Sequence, residues 1–198
     1  METVLILDFG AQYSQLIARR VREQNVYCEV KPCSISPAEI EKIAPIGIIL
    51  SGGPQSVYES VSPHVDPSLF ALGIPVLGIC YGCQLMAYSL GGTVAAATEA
   101  TAREYGKTLT EFDTDCSIFQ GLPASSVTWM SHGDYISQVP DGFAVTAKTA
   151  VCPTAAMACP EKKLYGVQFH PEVLHTENGT KILHNFVYKV CGCGGTWE

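Results

Sequence analysis

Cys80 is the residue of this chain whose type and surroundings best suit nucleophilic chemistry. It ends a short apolar run, Val76-Leu77-Gly78-Ile79, and the sequence becomes helical directly after it. The N–H groups and the dipole at a helix N-terminus stabilise negative charge, so a cysteine placed there is favoured as the reactive thiolate. Gly78 and Gly82 permit a strained corner and a close approach of substrate. The segment therefore predicts a thiol presented at a sharp turn between a strand and a helix.

His170 and Glu172 are the matching candidates further along the chain. Residues i and i+2 of an extended segment face the same side, so both side chains can serve one site. A carboxylate beside an imidazole fixes its tautomer and stabilises its protonated form. The preceding run, Leu164 to Phe169, indicates a strand, and α/β sheets place active sites at the carboxyl ends of strands. We predict Cys80 as nucleophile, His170 as its base and Glu172 as the group that orients the base.

Cys80 also has other interpretations. With Cys83 it forms a C-x-x-C motif, which occurs in thioredoxin-like redox proteins and in zinc sites. Thioredoxin-like proteins carry the motif after an early strand, whereas here it follows several α/β units, and the sequence has no second C-x-x-C. A cysteine after an apolar strand is also commonly a small buried residue. From this segment alone, these alternatives stay open.

The turn Ser51-Gly52-Gly53-Pro54 follows another apolar run. Glycine-rich turns expose backbone N–H groups that can stabilise an oxyanion. No G-K-[ST] follows, so the turn is not a P-loop. A plain turn is the simple interpretation, and Cys80 makes it a candidate oxyanion hole. His132, in the segment Trp129 to Asp134, is predicted to be structural.

The segments that must position these residues alternate between strand and helix patterns. Predicted strands are Val4–Leu7, Val26–Val30, Ile46–Leu50, Pro75–Ile79 and Lys163–Phe169; predicted helices are Gln12–Gln24, one starting at Ser36-Pro37-Ala38-Glu39, Gln84–Leu90 and Gly179–Val190. This alternation is typical of an α/β fold with an open, mostly parallel central sheet flanked by helices. From about Thr93 to Gly166, short strand-like segments alternate with turns, which predicts antiparallel additions.

The composition narrows the class of protein. With 198 residues, 47% hydrophobic and 16% charged, the chain fits one domain whose sheet is covered on both faces. The net charge of −7 argues against a nucleic-acid partner, because phosphate contacts require clustered Lys and Arg. No apolar stretch approaches the roughly 18 residues of a membrane span, and Met1-Glu2-Thr3 is not the start of a signal peptide. Nine cysteines without a disulfide framework favour the reducing cytoplasm.

Several segments in this order resemble the class I glutamine amidotransferases, a family with a Cys-His-Glu triad. They are Ile6–Tyr13, Leu16–Glu23, Ser51–Tyr58, Gly78–Gly82, Trp129–Asp134 and Tyr165–Val173. The resemblance covers essentially the whole chain and implies a flavodoxin-like fold with a central mixed sheet. Cys83 departs from it, since Met is common there, and so does Tyr135, where Lys or another polar residue is common.

The resemblance also implies roles for residues of the triad and its surroundings. Cys80 would attack the carboxamide carbon of glutamine, His170 would transfer protons and Glu172 would hold His170. The backbone N–H groups of Gly53 and Tyr81 would form the oxyanion hole.

A second implied set binds the amino-acid end of the glutamine substrate. It consists of Gln84 and the backbone around Ser131, Gly133 and Asp134. No metal and no cofactor would be needed in this domain.

The match reaches one branch of the family, in which the ammonia passes to an ATP-pyrophosphatase domain that converts XMP to GMP with ATP and Mg²⁺. Residues 1–190 are then the amidotransferase domain, and residues 191–198 are the start of a linker to a synthetase domain outside this sequence. A natural stand-alone subunit that meets its synthetase as a separate chain is the alternative. The resemblance also allows a homodimer of the full-length enzyme.

Two other functions remain to be weighed against this one. The first is an amidotransferase that serves another acceptor, such as chorismate or carboxyphosphate. The second is a catalytically silent regulatory domain on the same fold.

Overall fold

The structure, a computed structural model, describes residues 1–10, 13–53, 57, 64–96 and 104–197. Its strands are β1 Thr3–Asp8, β2 Tyr27–Pro32, β3 Gly47–Leu50, β4 Val76–Ile79, β5 Thr93–Ala96, β6 Glu104–Phe112, β7 Ser125–His132, β8 Asp134–Gln138, β9 Ala144–Lys148, β10 Ala156–Cys159 and β11 Leu164–Val167. Its α-helices are α1 Ser14–Arg22, α2 Pro37–Ile43, α3 Tyr81–Ser89 and α4 Gly179–His184, which continues as a π-helical segment, Asn185–Val190. Short 3₁₀ helices cover Pro67–Ala71, Ser117–Phe119 and Pro160–Lys162.

Within these described residues, nine strands form one mixed sheet in the order β2-β1-β3-β4-β11-β10-β9-β6-β7. The pairs from β2 to β11 are parallel, and the pairs from β11 to β7 are antiparallel. β5 and β8 form a separate antiparallel pair. The expected α/β fold with a parallel centre and antiparallel additions is confirmed. β4 and β11 are neighbours, so their carboxyl ends bring Cys80 and the segment after Val167 together.

The central sheet separates two hydrophobic clusters. Along β1, Val4 and Ile6 belong to one cluster, whereas Leu5 and Leu7 belong to the other, because successive side chains of a strand point to opposite faces. Helices α1 and α4 pack on the first face, and α2 and α3 contribute to the second. Burial on both faces explains why these strands are continuous apolar runs rather than alternating patterns.

The local predictions have definite outcomes. Ser36 is the N-cap of α2, where its Oγ accepts from the Glu39 N–H at 3.2 Å, as the capping pattern indicates. The helix predicted from Gln84 begins earlier, at Tyr81, directly after the nucleophile candidate. Gln12, residues 97–103 and Pro54 lie outside the described residues. In the part of the chain that the structure describes, no helix has the length and apolar character needed to cross a membrane.

Candidate active site

Cys80 occupies the corner between β4 and α3. Its backbone has φ 53° and ψ −109°, a conformation that is strained for a residue with a side chain. The corner is held because the Cys80 N–H donates to the Val167 carbonyl of β11 at 2.8 Å. The Cys80 side chain is nearly buried, and its Sγ lies 3.6 Å from the Ser131 carbonyl oxygen. The predicted sharp turn is therefore present, at the first turn of a helix.

Glycines make this corner possible because β4 and α3 touch through their backbones. A β-carbon at Gly78 would lie 2.7 Å from the Gly82 carbonyl oxygen. One at Gly82 would lie 2.5 Å from the Leu50 carbonyl oxygen at the end of β3. Side chains at either position would push the helix away from the sheet and move Cys80 with it.

His170 and Glu172 follow β11 and are both buried. His170 Nδ1 lies 2.8 Å from Glu172 Oε2, so the two side chains face the same side as predicted. Burial by itself would lower the pKa of the His170 imidazole, but hydrogen bonds and charges from Cys80 and Glu172 raise it from 6.5 to about 11. The imidazole is thus poised as a cation between a sulfur and a carboxylate. The structure brings Cys80, His170 and Glu172 into one constellation.

Three residues that the sequence did not single out support this segment. Thr176 Oγ1 donates to the His170 carbonyl at 2.6 Å and accepts from the Trp129 N–H at 2.8 Å. Arg20 Nε donates to the Glu172 carbonyl at 3.0 Å. The Tyr13 ring meets the His170 ring edge-to-face, with 5.5 Å between centroids. These contacts come from distant parts of the chain, so spacing within the motif could not have revealed them.

Gly53 lies against the residue that follows the nucleophile. A β-carbon at Gly53 would be 3.1 Å from the Tyr81 ring and 3.4 Å from Phe9 Cβ. Tyr81 is the first residue of α3, where backbone N–H groups point out of the helix end. The predicted oxyanion-hole residues are therefore neighbours beside Cys80.

The residues predicted to bind the amino-acid end of glutamine surround the junction of β7 and β8. Ser131 is in β7, Gly133 separates the two strands and Asp134 begins β8. Gln84 reaches this junction from α3, because its Nε2 donates to the Asp134 carbonyl at 3.1 Å. His132 Nδ1 donates to the same carbonyl at 2.7 Å, which agrees with the structural role predicted for it.

Gln168 is a further buried polar residue that sequence reasoning missed. Its Oε1 accepts from Gln84 Nε2 at 3.1 Å, and its Nε2 lies 3.7 Å from Cys80 Sγ. The available signal was a polar residue between Val167 and Phe169 in an otherwise apolar, buried run.

Cys83, the partner of Cys80 in the C-x-x-C motif, is packed into the protein interior. Its Sγ occupies the space beside Gly166, where a β-carbon would lie only 2.5 Å from it. Burial, with the nearby charges of Cys80 and Cys152, raises the pKa of the Cys83 thiol well above its usual range. Among the described residues, no three His, Cys, Asp or Glu side chains are grouped as metal ligands would be.

Known proteins share this fold and sequence. The family model for glutamine amidotransferase class-I matches residues 5–190. The chain is 56% identical to the glutamine-hydrolyzing GMP synthase of Clostridium botulinum strain Alaska E43 and 57% identical to that of Caldanaerobacter subterraneus, over 100% and 99% of its length. It spans 38% of the length of each of these relatives.

Solved structures agree with this relationship. A Thermoplasma acidophilum protein, described as one candidate chain of a GMP synthase, superposes with a TM-score of 0.83 and 32% identity, covering 96% of this chain and 94% of that one. A glutamine amidotransferase from Thermotoga maritima superposes with a TM-score of 0.74, covering 97% and 99%, and its 20% identity supports the fold alone.

Proposed function

Because this chain belongs to the class I glutamine amidotransferase family, we propose that it hydrolyses glutamine to glutamate and ammonia. The observation that carries the proposal is the constellation at the sheet edge. A cysteine in a strained strand-to-helix corner faces a buried histidine whose other nitrogen is 2.8 Å from a buried carboxylate. A nucleophile, a proton carrier and an orienting group are the parts that acyl transfer from an amide requires.

In the proposed reaction, the Cys80 thiolate attacks the side-chain carboxamide carbon of glutamine. The carbonyl oxygen becomes an oxyanion, which the backbone N–H groups of Gly53 and Tyr81 stabilise. The His170 cation donates its proton to the departing nitrogen, so ammonia leaves and a glutamyl thioester remains. His170 then removes a proton from water, which attacks the thioester and releases glutamate and the thiolate. Glu172 holds the imidazole and stabilises its charge throughout.

We propose that the junction of β7 and β8 receives the amino-acid end of glutamine. The backbone around Ser131, Gly133 and Asp134 supplies polar groups near Cys80 Sγ. The Gln84 amide nitrogen is used inside the protein, on Asp134 and Gln168, so its oxygen is the atom that these two bonds leave uncommitted. Gln84 therefore shapes this junction as well as meeting the substrate.

The ammonia is proposed to serve the conversion of XMP to GMP. Support comes from relatives at 55–57% identity, which are glutamine-hydrolyzing GMP synthases of which the chain spans 38%. The synthetase part, with its ATP and Mg²⁺, would act either in the same polypeptide or as a separate subunit. The second arrangement is supported by the similarity to the Thermoplasma acidophilum protein, of which the chain covers 94%. Nine cysteines that are all unpaired fit an enzyme of the reducing cytoplasm.

The test is glutamate release from glutamine, measured for the chain with and without its synthetase part and the nucleotide substrates. The parent should release glutamate, and Cys80→Ala should not. Cys33→Ala is the matched control, since it removes a half-buried thiol outside the constellation. Absence of glutamate release by the parent with partner and substrates present would favour the silent regulatory domain. Glutamate release without GMP formation would favour an amidotransferase for another acceptor.

A further inference from the structure

Gln168 touches the nucleophile sulfur but belongs to none of the groups assigned above. It follows β11, two residues before His170, and its side chain is fully buried. A buried amide must have hydrogen-bond partners, because leaving one unpaired costs free energy. Gln168 finds its partners in Cys80 on one side and Gln84 on the other.

The direction of these hydrogen bonds follows from one backbone carbonyl. The Asp134 carbonyl can only accept, so the Gln84 atom at 3.1 Å from it must be the NH₂ group. That same NH₂ group faces the Gln168 side chain at 3.1 Å, which must therefore present its oxygen there. The Gln168 NH₂ group is then left pointing toward Cys80 Sγ, at 3.7 Å. His132 Nδ1, at 2.7 Å from the Asp134 carbonyl, helps to hold this anchor in place.

The sulfur thus lies between a donor and an acceptor. The Ser131 carbonyl, 3.6 Å from Cys80 Sγ, can accept from a thiol but cannot stabilise a thiolate. The Gln168 NH₂ group does the opposite, because a donor stabilises the negative sulfur. The charged and titratable groups around the sulfur are the His170 cation, itself held by Glu172, and the buried Cys83 thiol of α3.

We propose that Gln168 is a positioning residue whose amide, oriented by Gln84 and the Asp134 carbonyl, donates to Cys80 and favours its thiolate. This inference rests on the proposed function, in which the Cys80 thiolate both attacks glutamine and leaves the thioester. The same donor would act at both stages, because the sulfur carries negative charge before attack and again when glutamate departs.

The inference predicts a change in the reactivity of Cys80 that needs no glutamine. The measurement is the rate of Cys80 modification by iodoacetamide across pH in the full-length protein, resolved from the other cysteines by peptide mass spectrometry. Gln168→Met removes the donor at nearly constant size, and should lower the thiolate fraction at neutral pH by about tenfold, moving the midpoint up by about one pH unit. Gln168→Glu should move it further, because a carboxylate oxygen would replace the NH₂ group and repel the thiolate.

Controls separate positioning from general damage. Gln120→Met makes the same exchange at a site where the glutamine contacts Lys189 instead, and should leave the midpoint unchanged. In both Gln168 variants the alkylation rate should recover at high pH, which a merely misfolded site would not do. If Gln168→Met does not fold, Gln84→Met tests the same network, and should move the midpoint upward by a smaller amount.

The inference is overturned if folded Gln168 variants show the parental midpoint, or if their slow alkylation does not recover at high pH. This failure is distinguishable from failure of the proposed function. The alkylation profile reports on the thiol alone, whereas glutamate release by Cys80→Ala reports on the reaction.

Discussion

Gly78 and Gly82 bring strand β4 and helix α3 into backbone contact on either side of the nucleophile. A β-carbon at Gly78 would lie 2.7 Å from both the carbonyl carbon and the carbonyl oxygen of Gly82. Backbone atoms cannot move aside as a flexible side chain can, so this contact fixes the distance between the sheet and the helix. The strained conformation of Cys80 is imposed by that short distance.

Gly78→Ala should therefore destabilise the fold and disturb the site together. We expect a loss of about 1–3 kcal/mol in the free energy of unfolding, the usual range for an added group in a packed interior. Urea unfolding and glutamate release measure the two effects. Gly194→Ala is the control, because its β-carbon would meet only the flexible Glu2 side chain. An unchanged unfolding midpoint for Gly78→Ala would contradict the account of the corner.

The His170–Glu172 pair predicts a pH dependence of stability. The pKa of His170 is raised from 6.5 to about 11 in the folded chain, so the pair's contribution is complete below pH 6.5 and is lost as the pH rises toward 11. Glu172→Gln removes the carboxylate, so this pKa should fall and the loss of stability should set in at lower pH. Urea unfolding as a function of pH tests this, with the exposed Glu161→Gln as control. Parallel profiles for the parent and Glu172→Gln would rule out the pair's contribution.

Thr176 is predicted to hold the base in position. Thr176→Val keeps the shape but removes the bonds to the His170 carbonyl and the Trp129 N–H, which should cost about 1–3 kcal/mol. The displaced imidazole should also lower kcat for glutamate release more than it raises KM. Thr108→Val, on β6, provides a matched control. A parental kcat in a folded Thr176→Val protein would show that the clamp is dispensable.

The two cysteines of the C-x-x-C motif are predicted to react at different rates. Burial raises the pKa of Cys83 well above its usual range, whereas Cys80 faces a histidine cation. Iodoacetamide at neutral pH should therefore modify Cys80 well before Cys83, as resolved by fragment masses of their shared peptide. Equal rates at both positions would instead support a redox pair.

The core of the fold could be predicted from the sequence because its strands are buried on both faces. Continuous apolar runs placed β1, β3 and β4 to within about two residues, a usual uncertainty of element ends. The closing helix was predicted as one unit, but the structure changes from α to π geometry at Asn185. Asn185 Nδ2 donates to the Ile118 and Gln120 carbonyls, contacts that lie far away in sequence.

The candidate site was predictable where its chemistry is concentrated in short motifs. Cys80 stands at a strand end, and His170 and Glu172 are two positions apart, so local spacing revealed them. Gln168 and Thr176 depend on partners across the sheet, and their roles appear once β11 lies beside β4 and its continuation lies against β7. Long-range pairing of this kind leaves no local pattern in one sequence.

The most direct test of the account compares two nitrogen sources for GMP formation. The enzyme, complete with its synthetase part, is supplied with ATP, Mg²⁺ and XMP, and with either glutamine or ammonia. Cys80→Ala should abolish GMP formation from glutamine and leave GMP formation from ammonia near the parental rate. Retention of the glutamine-dependent reaction by Cys80→Ala, or loss of both reactions in a folded protein, would contradict the role of Cys80 as the nucleophile that releases ammonia.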